Sequence, residues 1–170
     1  AETLQRAGYV TLAAVGAAVL DRDTGIAQGF DRFDDRVRTG PREWFDWRER
    51  SATQVNAAAL SLLDGVKAPF SLWGHSYDPH HPYIPPEPFR SRWSAAPYDG
   101  EVAAMDDAFG ALLAALKQRG LDRALVVAVA GDHGESLGDH GEQQHGLFLY
   151  QSTQRVPLIV AGPGLPAARV

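Results

Sequence analysis

The chain has 170 residues, 45% of them hydrophobic and 22% charged, with a formal net charge of -5 and no cysteine. That length suffices for a domain with a hydrophobic core, while the mild acidity argues against nucleic acid or an anionic membrane as a partner. The lack of cysteine excludes disulfides and Cys-ligated zinc, and no apolar run is long enough to span a bilayer.

Residues 2–7 suit a helix that Gly8 can cap. Val10 to Val15 is a short β-branched apolar run and reads as a buried strand. Residues 22–50 are rich in Gly, Asp and Arg and read as an irregular excursion, anchored by Phe30, Phe33, Trp44, Phe45 and Trp47. Ser51 and Gln54 have capping-box spacing, and Val55, Ala59, Leu62 and Leu63 follow at helical intervals. Residues 69–73 read as the next buried strand. The Pro-rich stretch from Pro79 to Pro97 can be neither helix nor central strand, so an ordered extended loop or a floppy one is expected.

Asp99 can cap a long helix ending near Arg119, with Val102, Met105, Phe109, Leu112, Leu113 and Leu116 on its apolar face and Gly120 beyond it. Residues 125–130 read as a strongly apolar strand, 131–146 as a Gly- and His-rich loop, and 156–161 as a last strand. Strands alternating with helices, and strands that are continuously apolar, predict an α/β class: a mainly parallel sheet with helices on both faces.

All six histidines fall in two windows, 75–81 and 133–145. Each window opens close to the end of a predicted strand. Ligands of open α/β sheets bind at the carboxyl ends of strands, so if these two strands are parallel the windows face one cleft. In Asp132-His133 a hard carboxylate oxygen adjoins a borderline imidazole nitrogen, and both can turn to one cation. Gly131 and Gly134 flank the pair and permit tight backbone geometry. A turn-capping Asp beside a surface His is the plainer alternative on the dipeptide alone. His140 and His145 can be ligands, acids or substrate contacts, or plain loop residues. Glu135 and Glu142 can act as general acids or orient the loop. His80, stiffened by Pro79 and Pro82, can donate to an ester oxygen or protonate a leaving group. There is no G-x-S-x-G elbow, no phosphate-binding G-x-x-x-x-G-K-[ST] loop and no H-E-x-x-H helix.

The run VVAVAGDHGESLGDHGEQQHG, from Val126 to Gly146, resembles the metal-binding segment of bacterial sulfatases, members of the alkaline phosphatase superfamily. The stretches Leu147 to Tyr150, Arg155 to Val160, Gly162 to Gly164, and His75 to Tyr83 are similar to the same family. So are Tyr98 to Glu101, Gly8 to Thr11 and Gly29 to Asp31. The resemblance implies an alkaline-phosphatase-like fold and hydrolysis of sulfuric esters. Asp132 then matches a carboxylate ligand of a divalent cation, and His133 the next ligand. The implied cation is calcium foremost, with Mg2+, Mn2+ and Zn2+ as alternatives. His80 matches a histidine that contacts the sulfate or leaving-group oxygen. His145 matches a position often held by a sulfate-binding lysine, a departure from those members. These two are the expected catalytic residues. His75, His140 and Glu135 are candidates for substrate contact or for support behind the ligands.

Family sulfatases use a formylglycine made within a C/S-x-P-x-R motif, which this sequence does not contain. The nucleophile and two further carboxylate ligands are therefore expected upstream of Ala1. Residues 1–170 are expected to be part of one sulfatase-like catalytic domain, truncated at both ends and inactive alone. The expected partner is a sulfate or phosphate ester. The resemblance is compatible with a periplasmic or extracellular location but does not fix one. Two other readings stay open: a phosphoester or phosphonate-ester hydrolase or phosphoethanolamine transferase on the same scaffold, and a non-catalytic metal-binding or interaction module.

Overall fold

The computed structural model describes residues 1–37, 49–67 and 69–168. Trp44, Phe45 and Trp47, expected as anchors, lie outside the described residues. The chain forms two compact units, Ala1–Leu116 and Lys117–Val170.

The first unit opens with helix α1 (Glu2–Arg6) and strand β1 (Val10–Val15). Strand β2 (Arg32–Asp34), helix α2 (Ala52–Leu62) and strand β3 (Phe70–His75) follow. The strands lie in the order β2-β1-β3, both pairings parallel, with Leu12 opposite Arg32 on one side and Leu72 on the other. Being central, β1 is closed off from water: Leu12, Ala13, Ala14 and Val15 are fully buried. Helix α2 packs Val55 and Ala59 against Ala14. Each fully buried Leu or Val side chain contributes roughly 1.5–3 kcal/mol. The helix begins as its capping signal predicts: Ser51 N–H donates to Gln54 Oε1 at 3.0 Å.

The short strand β2 inside the 22–50 excursion has no counterpart in the sequence reading, because three residues carry too little periodicity to register. It is fixed by polar contacts. Asp31 Oδ2 accepts from Thr11 N–H at 2.8 Å and from Thr11 Oγ1 at 2.9 Å. Phe30 packs on Phe33 and stacks on Trp73, with ring centroids 5.7 and 5.9 Å apart. At the carboxyl end of β1, the buried Arg50 donates from Nη1 to Asp34 Oδ1 at 2.8 Å and from Nε to the Val15 carbonyl at 3.1 Å. Burial alone would raise the Asp34 carboxyl, but hydrogen bonds from Arg36 and Arg50 hold it below its ordinary value.

Helix α3 (Phe89–Arg92) interrupts the Pro-rich loop, and helix α4 (Pro97–Gln118) follows it. It starts two residues before Asp99, with Pro97 in the first turn, where no N–H is missed. Gly120 takes φ +70° just past its end. The buried positions are Gly100, Glu101, Ala108 and Leu116 rather than all of the expected face; Val102 and Leu113 are exposed.

In the second unit, strand β4 (Val127–Ala130) pairs antiparallel with strand β5 (Leu158–Ala161), and the four-residue helix α5 (Gln151–Gln154) lies between them in sequence. Both strands were expected to be buried. Instead β5 is exposed along its length, with Leu158 71% and Ile159 59% exposed, and β4 alternates between half-buried and exposed positions. An apolar run reports a tendency to bury, not the presence of a covering surface. Among the described residues no helix is long and apolar enough to cross a membrane.

Candidate active site

In the second unit, β4 ends at Ala130 and the His-rich loop begins. Gly134 is required there: its N–H donates to the Thr153 carbonyl at 2.8 Å, and a Cβ would lie 2.0 Å from the Ser152 carbonyl oxygen. That close approach turns the chain and sets Asp132 and His133 outward.

The Asp132 side chain is 82% exposed, and its Oδ1 accepts from His133 N–H at 3.0 Å. His133 Nδ1 lies 2.9 Å from the Gly134 carbonyl oxygen. A carbonyl only accepts, so Nδ1 carries the proton, and in the neutral ring Nε2 holds the lone pair. That Nε2 lies 4.0 Å from Asp132 Oδ1. One cation about 2.0–2.6 Å from each donor bridges such a gap, so the pair fits a divalent ion as part of a ligand set. Among the described residues no group of three or more His, Cys, Asp or Glu could hold a metal ion.

The loop returns His145 to this point. Its ring lies 4.0 Å, centroid to centroid, from that of His133. His145 Nδ1 is 3.2 Å from both carboxylate oxygens of Glu135, whose side chain is only 5% exposed. A pocket of about 200 Å3 opens here, lined by His133, His145, Leu147, Phe148, Thr153 and Gln154 among others.

The buried Glu142 shapes the turn. Its Oε1 accepts from the N–H groups of Leu147 and Phe148 at 3.0 and 3.2 Å, and its Oε2 from Ser136 Oγ at 3.2 Å. Burial pushes this carboxyl up, but those donors outweigh it and hold it below the ordinary carboxylate value. Glu142 therefore orients the loop. His140, in the left-handed region at φ +53°, stacks on Tyr150 with centroids 4.1 Å apart.

In the first unit, β3 delivers His75 at its carboxyl end, among Trp73 and Tyr77. His80 follows on the Pro-rich loop. Its Nδ1 lies 2.7 Å from the His81 carbonyl and its Nε2 3.1 Å from the Tyr77 hydroxyl, while its ring stacks on Tyr77. Asp78 Oδ2 accepts from Ala52 N–H at 2.7 Å, at the start of α2. Burial pushes the Asp78 carboxyl up against that bond.

The structure thus gathers His133, His145 and Glu135 in the second unit, and places His75 and His80 in the first. Tyr77, Glu101 and Thr153 were not singled out from the sequence. Thr153 is buried beneath the pocket and donates from Oγ1 to the carbonyls of Phe148 and Tyr150. The signal for Glu101 was a carboxylate in register with Met105, Ala108, Leu112 and Leu116 on α4.

The family model described as Sulfatase matches residues 1–170. An endo-4-O-sulfatase of Bacteroides thetaiotaomicron is 27% identical over 162 residues, spanning 80% of this chain and 32% of that protein. Among solved structures, a protein of the alkaline phosphatase superfamily from Vibrio parahaemolyticus aligns with a TM-score of 0.67 at 18% identity, over 96% of this chain and 41% of that one. The structure of BT4656, solved with its substrate D-glucosamine-2-N,6-O-disulfate, aligns with a TM-score of 0.67 at 17% identity, over 95% and 55%. The fold is therefore the α/β fold of that superfamily. The chain spans about a third of the curated relative and about half of the two structures.

Proposed function

The chain belongs to the sulfatase family, and on that premise we propose that the full-length protein is a sulfuric ester hydrolase to which these residues contribute part of one catalytic domain. The family implies a divalent cation. Asp132 and His133 are the residues that would hold it here, with calcium the first choice for a site whose remaining ligands are carboxylates. When bound, the cation supplies positive charge beside the anionic ester oxygens.

The chain's own residues do the rest. His145, its Nδ1–H held by Glu135, is assigned to a sulfate oxygen. His80 is assigned to the departing oxygen as hydrogen-bond donor or acid, a role in which its Nε2 would exchange the Tyr77 hydroxyl for that oxygen. His75 and His140 stand behind these, each against an aromatic ring. The nucleophile, a formylglycine, is assigned to a part of the protein outside this segment. The endo-4-O-sulfatase relative and the D-glucosamine-2-N,6-O-disulfate bound by BT4656 favour a sulfate ester as the substrate.

The observation that carries this reading is the Asp132–His133 pair, with a proton fixed on Nδ1 and with His133 Nε2 and Asp132 Oδ1 4.0 Å apart. The test is turnover of an aryl sulfate and of the matching aryl phosphate by the full-length protein, before and after chelation. Chelator-sensitive turnover that favours the sulfate is expected. Preference for the phosphate would move the protein to phosphoester chemistry on the same scaffold, and metal binding without turnover of either would leave a binding module.

A further inference from the structure

Glu101 lies on helix α4 and is 6% exposed. Its carboxylate has a two-sided use. Oε2 accepts from the backbone N–H of His80 at 3.0 Å, and Oε1 from the backbone N–H of Ile84 at 2.6 Å. The stretch between them contains Pro82 and follows Pro79, so it cannot run as a regular hydrogen-bonded strand. Its main-chain donors need a partner brought from elsewhere.

The His80 ring is in turn tied to its own backbone. Nδ1–H donates to the His81 carbonyl, and the ring lies on Tyr77 with centroids 4.2 Å apart. Any rotation of the main chain at His80 therefore carries the ring with it. Just upstream, Asp78 is pinned to the start of α2 through Ala52 N–H. The segment is held on both sides of His80, once by α2 and once by α4.

We propose that Glu101 is a positioning residue for His80, a two-pronged acceptor that fixes the direction in which the imidazole is presented. This rests on the sulfatase reading, in which His80 meets the ester. A carboxylate is the group suited to the task. Burying one on a helix face costs free energy, and burial does push the Glu101 carboxyl up despite the two N–H donors. An amide of the same shape offers one acceptor and one donor. It would satisfy one N–H and oppose the other.

Two variants of the full-length protein test this, with two readouts each. In Glu101→Gln, amide hydrogen exchange at His80 and Ile84 should accelerate while the amides of α4 keep their protection. Its kcat for an aryl sulfate should fall by roughly 10²-fold, the scale of a displaced catalytic group, with KM and metal content unchanged. Glu101→Asp keeps the charge but shortens the reach, so its kcat should fall between wild type and Glu101→Gln. Wild-type exchange at both amides in Glu101→Gln overturns the clamp. Accelerated exchange with wild-type kcat in either variant overturns the positioning role. If the wild-type protein does not turn over sulfate esters, the functional reading fails, and the exchange measurement still decides the clamp.

Discussion

His145 Nδ1 lies 3.2 Å from both carboxylate oxygens of Glu135, and since a carboxylate only accepts, that nitrogen bears the proton. Glu135 is buried and His145 lines the pocket. In the full-length protein, His145→Ala should lower turnover by about 10²–10⁴-fold, the range for a lost acid or oxyanion donor. Glu135→Ala should lower it less, because the ring remains but its tautomer and direction are released. Steady-state kinetics on an aryl sulfate checks both, and a larger loss for Glu135→Ala than for His145→Ala would assign the chemistry to the carboxylate.

The Arg50–Asp34 pair is structural. Both side chains are under 10% exposed, at 8% and 4%, so removing the guanidinium strands a buried carboxylate. Breaking such a pair costs about 3–5 kcal/mol. Arg36 also bonds Asp34, so Arg50→Ala should fall at the lower end, near 3 kcal/mol. Urea unfolding measures it. A change below about 1 kcal/mol, the scale of an exposed pair, would mean that the pair is not buried in solution.

The Arg22–Asp35 pair sets a pH dependence. Hydrogen bonds from Arg22, opposed by burial, hold the Asp35 carboxyl at about 2. Its folded value is thus depressed below the unfolded value of about 3.9. The stabilisation is complete above about pH 4 and is lost as pH falls toward about 2. Arg22 is largely exposed, so the effect is screened and small. Arg22→Ala should therefore be less stable than wild type near neutrality, with the gap closing as the pH drops. A gap that widens on acidification would reverse the sign.

The 170-residue chain on its own should show no metal-dependent turnover of an aryl sulfate. It contains no C/S-x-P-x-R motif, and among the described residues Asp132 and His133 have no third ligand. Turnover by the purified chain at the rate of an intact sulfatase would overturn the division of the site between this chain and the rest of the protein.

What the sequence made legible was whatever repeats or punctuates. The β-branched run gave β1 to the residue, and Ser51 with Gln54 gave the start of α2. Asp132, His133 and His145 stand out as candidates because histidine and glycine cluster there. Glu101 is marked only by its place on the inner face of α4, and Thr153 by nothing, since each acts through backbone groups of a segment distant or irregular in sequence. Strand β2 is too short for periodicity, and the exposure of β5 depends on packing that a local pattern does not encode.

In the proposed enzyme Asp132 serves the cation and His80 serves the substrate. Metal content measured beside aryl-sulfate turnover, for Asp132→Ala and His80→Ala in the full-length protein, separates the two roles. Asp132→Ala should lose the bound cation and turnover together. His80→Ala should keep the cation while turnover falls by roughly 10²–10⁴-fold. If His80→Ala loses the metal and Asp132→Ala retains it, the roles are reversed and the site is a histidine-rich metal centre instead.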